Sequence, residues 1–293
     1  MIRISIIACF IVFMAADLVG QLPSTDIYHF TIVRGNNGIQ LDNPQYLTGF
    51  NEDGYNNQPL FFDDDVVYFT TDYYDSLQTE IAKFDLGKTE LTRITTTQES
   101  EYSPTPIPNS SDFSCVRVEL NNIQTLTSYP LDGMGVPERY LTNIKNVGYH
   151  CWLNANDLAL FLVKAPEHQL AICEIDSEKR KIILDKIGRC LIKTAQGELM
   201  FVHKLQDENW YIKSYNLETS QSSIVCQTPN GSEDFALLPA GSLLMGQGSK
   251  LMRYNPGYST DWELVQDLGA ININSISRIT IRNNRLVLVN QKT

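Results

Sequence analysis

The sequence predicts an all-β protein, a six-bladed β-propeller whose last blade is built jointly by strands from the two ends of the chain. Three observations carry this. Short apolar or alternating runs broken by Gly, Asn, Asp and Pro recur throughout, whereas the spacing of an amphipathic helix is hard to find. A strand–turn–strand–loop–strand–turn–strand order returns with a period of about 40–47 residues. The final copy stops after two strands, and strands that would complete it stand near the N-terminus.

The opening run, MIRISIIACFIVFMAADLVGQ, stands apart from these repeats. Arg3 precedes an apolar stretch from Ile4 to about Ala16, shorter than the roughly 20 residues needed to cross a bilayer. Gly20 is a small residue suited to cleavage before Gln21. Residues 1–20 are therefore expected to be a secretory signal peptide, and residues 21–293 a single propeller domain, periplasmic or secreted, with no membrane insertion after cleavage.

Next come TDIYHFTI (25–32), which matches the third-strand pattern of TEIAKFDL (79–86), and GIQLDNPQYLTG (38–49), which can follow as a fourth strand. PLFFDDDVVYFTTD (59–72) then opens the first complete unit, followed by EIAKFDL and LTRITTT. Later units have their first strands near residues 104, 151, 191 and 236, and the incomplete one near 279. In that last unit ITIRNNRLVLVN (279–290) supplies only a first and a second strand, so the strands at 25–49 are expected to complete the blade and close the ring. Closure removes long unpaired edges and with them the main aggregation hazard of open sheets.

Asp63, Asp64 and Asp65 raise the question of a hard-cation site. The same slot is held in the other units by Asn109–Asp112, Asn154–Asp157, Ala195–Glu198, Pro239–Ser242 and Asn283–Asn284. Turn formers fill it each time, which makes the aspartates the tip of a hairpin between the first and second strands. An exposed tip rarely gathers the six or more oxygens that calcium takes.

ESEYSPTPIPNSSDFSCVRVE (99–119), with its Ser-Pro opening a first strand before a hairpin, resembles the repeat of TolB-type propellers. TDIYHF and SRITIRNNRLVLVN (277–290) are similar to the same repeat, while units three to five are degenerate. TolB carries an additional α/β domain before its propeller, and no stretch here reads as that domain. The resemblance implies a six-bladed ring exported to a bacterial periplasm or cell surface, of a kind that usually binds rather than catalyses.

Charge and motifs narrow the function. A net charge of −11, with no block of Lys or Arg, would repel a phosphate backbone or an anionic lipid surface, so no nucleic acid partner is expected. Cys115, Cys151, Cys173, Cys190 and Cys226 are widely spaced, with no C-x-x-C pair, and read as small buried hydrophobes. His29, His150, His168 and His203 lie outside metal-ligand spacing of one another, and no nucleotide-binding, zincin or nucleophile-elbow motif is present. No metal and no cofactor is expected.

Topology supplies the candidate site. Strands in a blade alternate in direction, so second-to-third connections share a face with the blade-to-blade connections. Those blade-to-blade segments are rich in polar groups: Asn57 and Gln58, Glu101 and Tyr102, Tyr149 and His150, Arg189, Glu233 and Asp234, and Arg278. Each precedes an innermost strand, so their side chains are expected to converge on the mouth of the central channel, with Trp152 as an apolar wall. Exposed Tyr73, Tyr74 and Trp210 are placed on the same face. Two readings of the mouth stay open: a binding site, or a paired polar ring that only closes the funnel.

The favoured function is an exported, non-enzymatic, TolB-like monomer that binds an envelope protein, peptide or glycan at the channel mouth. The alternative is a small propeller hydrolase or lyase with His150 as base and Glu101, Glu233 or Asp234 as acid or metal ligand.

Overall fold

A computed structural model describes residues 22–35, 38–206 and 209–292 of the chain; the predicted signal peptide and Cys9 lie outside the described residues. Among the described residues are six four-stranded antiparallel sheets and two single-turn 3-10 segments, Gly49–Asn51 and Gly269–Ile271. Each sheet is one blade, and the blades form a closed ring. The innermost strands are Asn56–Asp63, Ser100–Pro106, Val147–Trp152, Ile187–Lys193, Phe235–Leu237 and Ile276–Arg282, here called blades one to six.

Blade six is the joint one. Its inner pair, Ile276–Arg282 and Arg285–Gln291, comes from the C-terminus, and Thr25–Gly35 and Gly38–Tyr46 add its third and fourth strands. The join runs in register from Thr25 opposite Gln291 to Thr31 opposite Arg285, with Ile27 facing Val289 and Tyr28 facing Leu288. The ring therefore closes by ordinary backbone pairing, as the incomplete last repeat predicts.

Apolar alternation along the second strands explains why neighbouring blades adhere. In Asp157–Leu162 of blade three, Leu158, Leu160 and Leu162 pack toward blade two, and Ala159 and Phe161 toward blade four. Successive side chains point to opposite faces of a strand, so one buried strand serves two interfaces. The same division gives six hydrophobic clusters, one at each junction between blades. The cluster between blades six and one combines Ile27, Val287 and Val289 with Phe61, Val67 and Phe69, so the joint blade is packed as well as paired.

The structure corrects the sequence-based boundaries in one systematic way. The inner strands of blades one to four and of blade six begin three or four residues earlier than their apolar runs suggest, at Asn56, Ser100, Val147, Ile187 and Ile276. Each of these strands carries a β-bulge near its start, between Asn57 and Leu60, Tyr102 and Thr105, Val147 and Tyr149, Ile187 and Leu191, and Ile276 and Arg278. Gln58 and Ser103 hold matching left-handed conformations there, with φ of 54° and 56°. Polar residues at a bulge look like loop in a sequence, yet they belong to the strand. A bulge re-aims side chains, and these lie next to the channel.

The aspartate tip is a hairpin, and its carboxylates meet cations of the neighbouring joint blade. Arg282 Nε donates to Asp64 Oδ1 at 2.8 Å, Asn283 donates to the same oxygen at 2.9 Å, and Arg285 pairs with Asp65. Cys115, Cys151, Cys173, Cys190 and Cys226 are all free thiols. Of the aromatics expected to be exposed, Tyr73 is, packed edge-on against Phe50. Tyr74 and Trp210 are instead half-buried, covered by the cations of Arg93 at 4.8 Å and Lys204 at 4.2 Å.

Candidate functional site: a barred channel mouth

A cavity of about 1090 Å³ runs along the ring axis between the inner strands. Of the residues singled out in the sequence, Gln58, Tyr149, His150, Trp152, Arg189, Asp234 and Arg278 line it. Glu101, Tyr102 and Glu233 do not.

Asp234 is the hub of the mouth. Its Oδ2 accepts from Arg189 of blade four at 2.6 Å (Nε) and 2.5 Å (Nη2), and its Oδ1 accepts from Arg278 of blade six at 3.3 Å. Arg189 also donates to the Ser277 carbonyl at 3.1 Å. From the other side of its guanidinium, Arg278 reaches across to Tyr149 on blade three, the opposite member of the ring, donating to its hydroxyl at 2.9 Å and lying 5.1 Å from its ring centroid. One guanidinium thus spans the mouth like a bar. Burial works against the charge on Arg278, but Tyr149, Asp234 and Tyr55 outweigh it and raise its pKa, so it stays protonated. Arg278 and Asp234 side chains are only 14% and 7% exposed, which makes the pairing strong if complete and costly if broken.

The adjoining groups are satisfied as well. Glu233 Oε1 accepts from the Arg189 backbone N–H at 2.6 Å, and its Oε2 pairs with Lys204 at 3.1 Å. Glu233 lies beside a second, smaller cavity of about 260 Å³ between blades five and six, lined by Ser232, Gly246 and Ser277 among others. Gln58 Oε1 accepts from Thr70 at 2.8 Å and from the Ser103 N–H at 3.0 Å, which ties blade one to blade two at their bulges.

His150 sits deeper. Its Nε2 lies 2.7 Å from Ser114 Oγ, and Trp152 Nε1 donates to that same hydroxyl at 2.9 Å. Burial alone pushes the imidazole down to about 3, so the ring is neutral at any ordinary pH. Its Nδ1 is buried without a hydrogen-bond partner.

Glu101 takes the opposite direction from the one expected. Its side chain is fully buried in the junction between blades one and two, where Oε1 accepts from Thr97 at 2.5 Å and from Tyr129 at 2.9 Å. Burial, with the nearby Glu80 carboxylate, pushes it up to about 8. Tyr102 packs against the core between blades two and three, its ring 6.3 Å from that of Tyr55. Sequence reasoning missed Ser114, Ser277 and Lys204 as partners of this region, because each becomes a neighbour only once adjacent blades dock. Among the described residues no cluster of three or more metal-ligating side chains is present, and no helix is long and apolar enough to cross a membrane.

Comparison with known proteins bears on the ring as a whole. No family model and no curated protein matches the chain. Among solved structures, a putative TolB from Agrobacterium tumefaciens superposes with a TM-score of 0.68 at 9% identity, covering 93% of this chain and 99% of that one. The chain has the six-bladed propeller fold of TolB. TolB from Acinetobacter baumannii gives 0.58 at 12% identity over 92% of this chain and 64% of that one. A chain of the nidogen/laminin complex gives 0.65 at 12% over 92% and 100%. A putative gluconolactonase gives 0.57 at 9% over 82% and 89%. This chain therefore shares one fold with proteins whose names point to different roles, and the side chains of its own site must carry the functional reading.

Proposed function

We propose that the protein is an exported, non-enzymatic propeller that binds a protein, peptide or glycan partner of the cell envelope on the face where the blade-to-blade connections meet. The observation that carries this reading is the state of the mouth. Asp234 is held by two arginines, Glu233 by Lys204, and His150 by Ser114, whose hydroxyl also accepts from Trp152. General acid–base chemistry needs a titratable group poised near the working pH and within reach of a substrate proton. Here the base is neutral and the carboxylates are neutralised, so the face is a fixed, polar, preorganised surface.

Two further points support a binding role. The nidogen/laminin match is to a chain solved in a protein–protein complex. On the mouth face of this chain the second-to-third connection of blade one presents Tyr73 at 46% and Leu77 at 93% exposure, side chains suited to anchoring a partner. Export rests on the character of residues 1–20.

A photo-crosslinking residue placed at Tyr73 or Leu77, and separately at Gln196 on the opposite face, tests the reading in the native cell envelope. An adduct of defined mass from the first two positions and none from Gln196 is expected. Adducts from Gln196 alone, or from none of the three, would sink it.

A further inference from the structure

The bar formed by Arg278 changes what the central cavity can do. At the mouth end the lining side chains of Asp234 and Arg278 are only 7% and 14% exposed, with Arg189 at 30%. At the other end Gln196, Ala240 and Asn283, in the hairpins between first and second strands, and Pro106, at the end of its inner strand, are exposed and line the same cavity. The arginines therefore constrict the cavity at the mouth, and its wider opening is on the face away from the proposed partner surface.

Its walls and floor differ in chemistry. Leu60, Pro104, Ile192, Leu237, Ile279 and Ile281 line the sides. Among the charged lining residues, the cations Arg189, Lys193 and Arg278 outnumber the carboxylates Glu198 and Asp234, although the chain as a whole carries a net charge of −11. Glu198 is further occupied by Ser214 at 2.5 Å. Two guanidiniums against one carboxylate at the constricted end, between apolar walls, focus a positive potential there. Apolar walls around a few convergent polar groups are the usual build of a small-molecule site, and the volume of about 1090 Å³ lies just above the usual range of roughly 300–1,000 Å³.

We propose that this well binds a small amphipathic carboxylate, apolar chain against the walls and anionic head toward Arg278 and Arg189, entering between the hairpins at Ala240 and Asn283. The inference goes beyond the partner surface and uses the opposite face of the ring.

Titration calorimetry of the mature protein with decanoate, decanol and decyltrimethylammonium, each below its micellar concentration, tests it. Decanoate should bind roughly tenfold or more tightly than decanol, the order expected of a charge-assisted hydrogen bond, and the cation should not bind. Arg278→Gln should bring decanoate down to the level of decanol. Ala240→Trp, at the exposed rim, should remove binding of both and leave the partner crosslink at Tyr73 intact; it is the control should Arg278→Gln fold poorly. Equal affinity for decanoate and decanol, no binding of decanoate, or decanoate affinity unchanged in either folded variant would each overturn the proposal.

Discussion

Asp234→Asn is the sharpest perturbation of the mouth. The substitution keeps the shape of the side chain and removes one negative charge shared by Arg189 and Arg278, from which it accepts at 2.5–3.3 Å. Two guanidiniums from blades four and six would then face each other with no carboxylate between them. Their own exposures differ, with Arg189 at 30% and Arg278 at 14% of the side chain, so water can relieve the first more than the second. Breaking a buried pair by deleting one partner costs about 3–5 kcal/mol, because the survivor stays desolvated. The partial exposure of Arg189 and the residual hydrogen bonding of an amide place the expected loss toward the lower limit, about 3 kcal/mol. Urea unfolding at pH 7, followed by tryptophan fluorescence with the slope of the transition held in common, measures it. A loss below about 0.5 kcal/mol, the size of an ordinary surface substitution, would refute the claim that Asp234 is the hub of the mouth.

Three other outcomes follow from individual side chains. Burial raises Glu101 to about 8 in the folded state, above its value in the unfolded chain, so its contribution to stability is complete below the ordinary carboxylate range and is lost as pH rises through about 8. Urea midpoints of the native protein should fall between pH 5 and 9 more steeply than those of Glu101→Gln, and parallel curves would contradict this. His150, pushed down to about 3 by burial, should show imidazole resonances that do not titrate between pH 5 and 8; a midpoint near 6.5 would mean the ring is solvated. Ile27 is 1% exposed and packs in the junction of the joint blade with blade one, so Ile27→Ala should cost about 2–5 kcal/mol by urea unfolding, whereas a negligible cost would show that the N-terminal strand adds little to the ring.

Much of the fold was legible because each level of the sequence agreed with the others. Turn formers between Asp63 and Val66 and at Asn283–Asn284 mark equivalent hairpins, and the pattern shared by TDIYHF and TEIAKF places the N-terminal strand third in its blade. The convergence of Arg189, Asp234 and Arg278 was also accessible, since each stands just before the apolar run of an inner strand in the sequence. The bulges were not. Gln58 and Ser103 carry nothing in their identity that announces a left-handed backbone inside a strand, so strand starts were displaced and side-chain directions with them. Glu101 shows the consequence: it lies before the bulge of its strand, opposite Arg117, and turns into the junction with blade one instead of the channel. Nor does any local pattern say that Arg278 is long enough to reach the opposite blade, because that contact joins residues 129 positions apart.

That contact is also the point on which both proposals depend, since it would separate the proposed partner surface from the proposed well. A double-mutant cycle on Arg278→Gln and Tyr149→Phe measures it directly. A guanidinium hydrogen-bonded across the ring at 2.9 Å should give a coupling energy of at least about 1 kcal/mol. Additive costs, within about 0.3–0.5 kcal/mol, would mean that the two side chains do not meet and that the mouth is open.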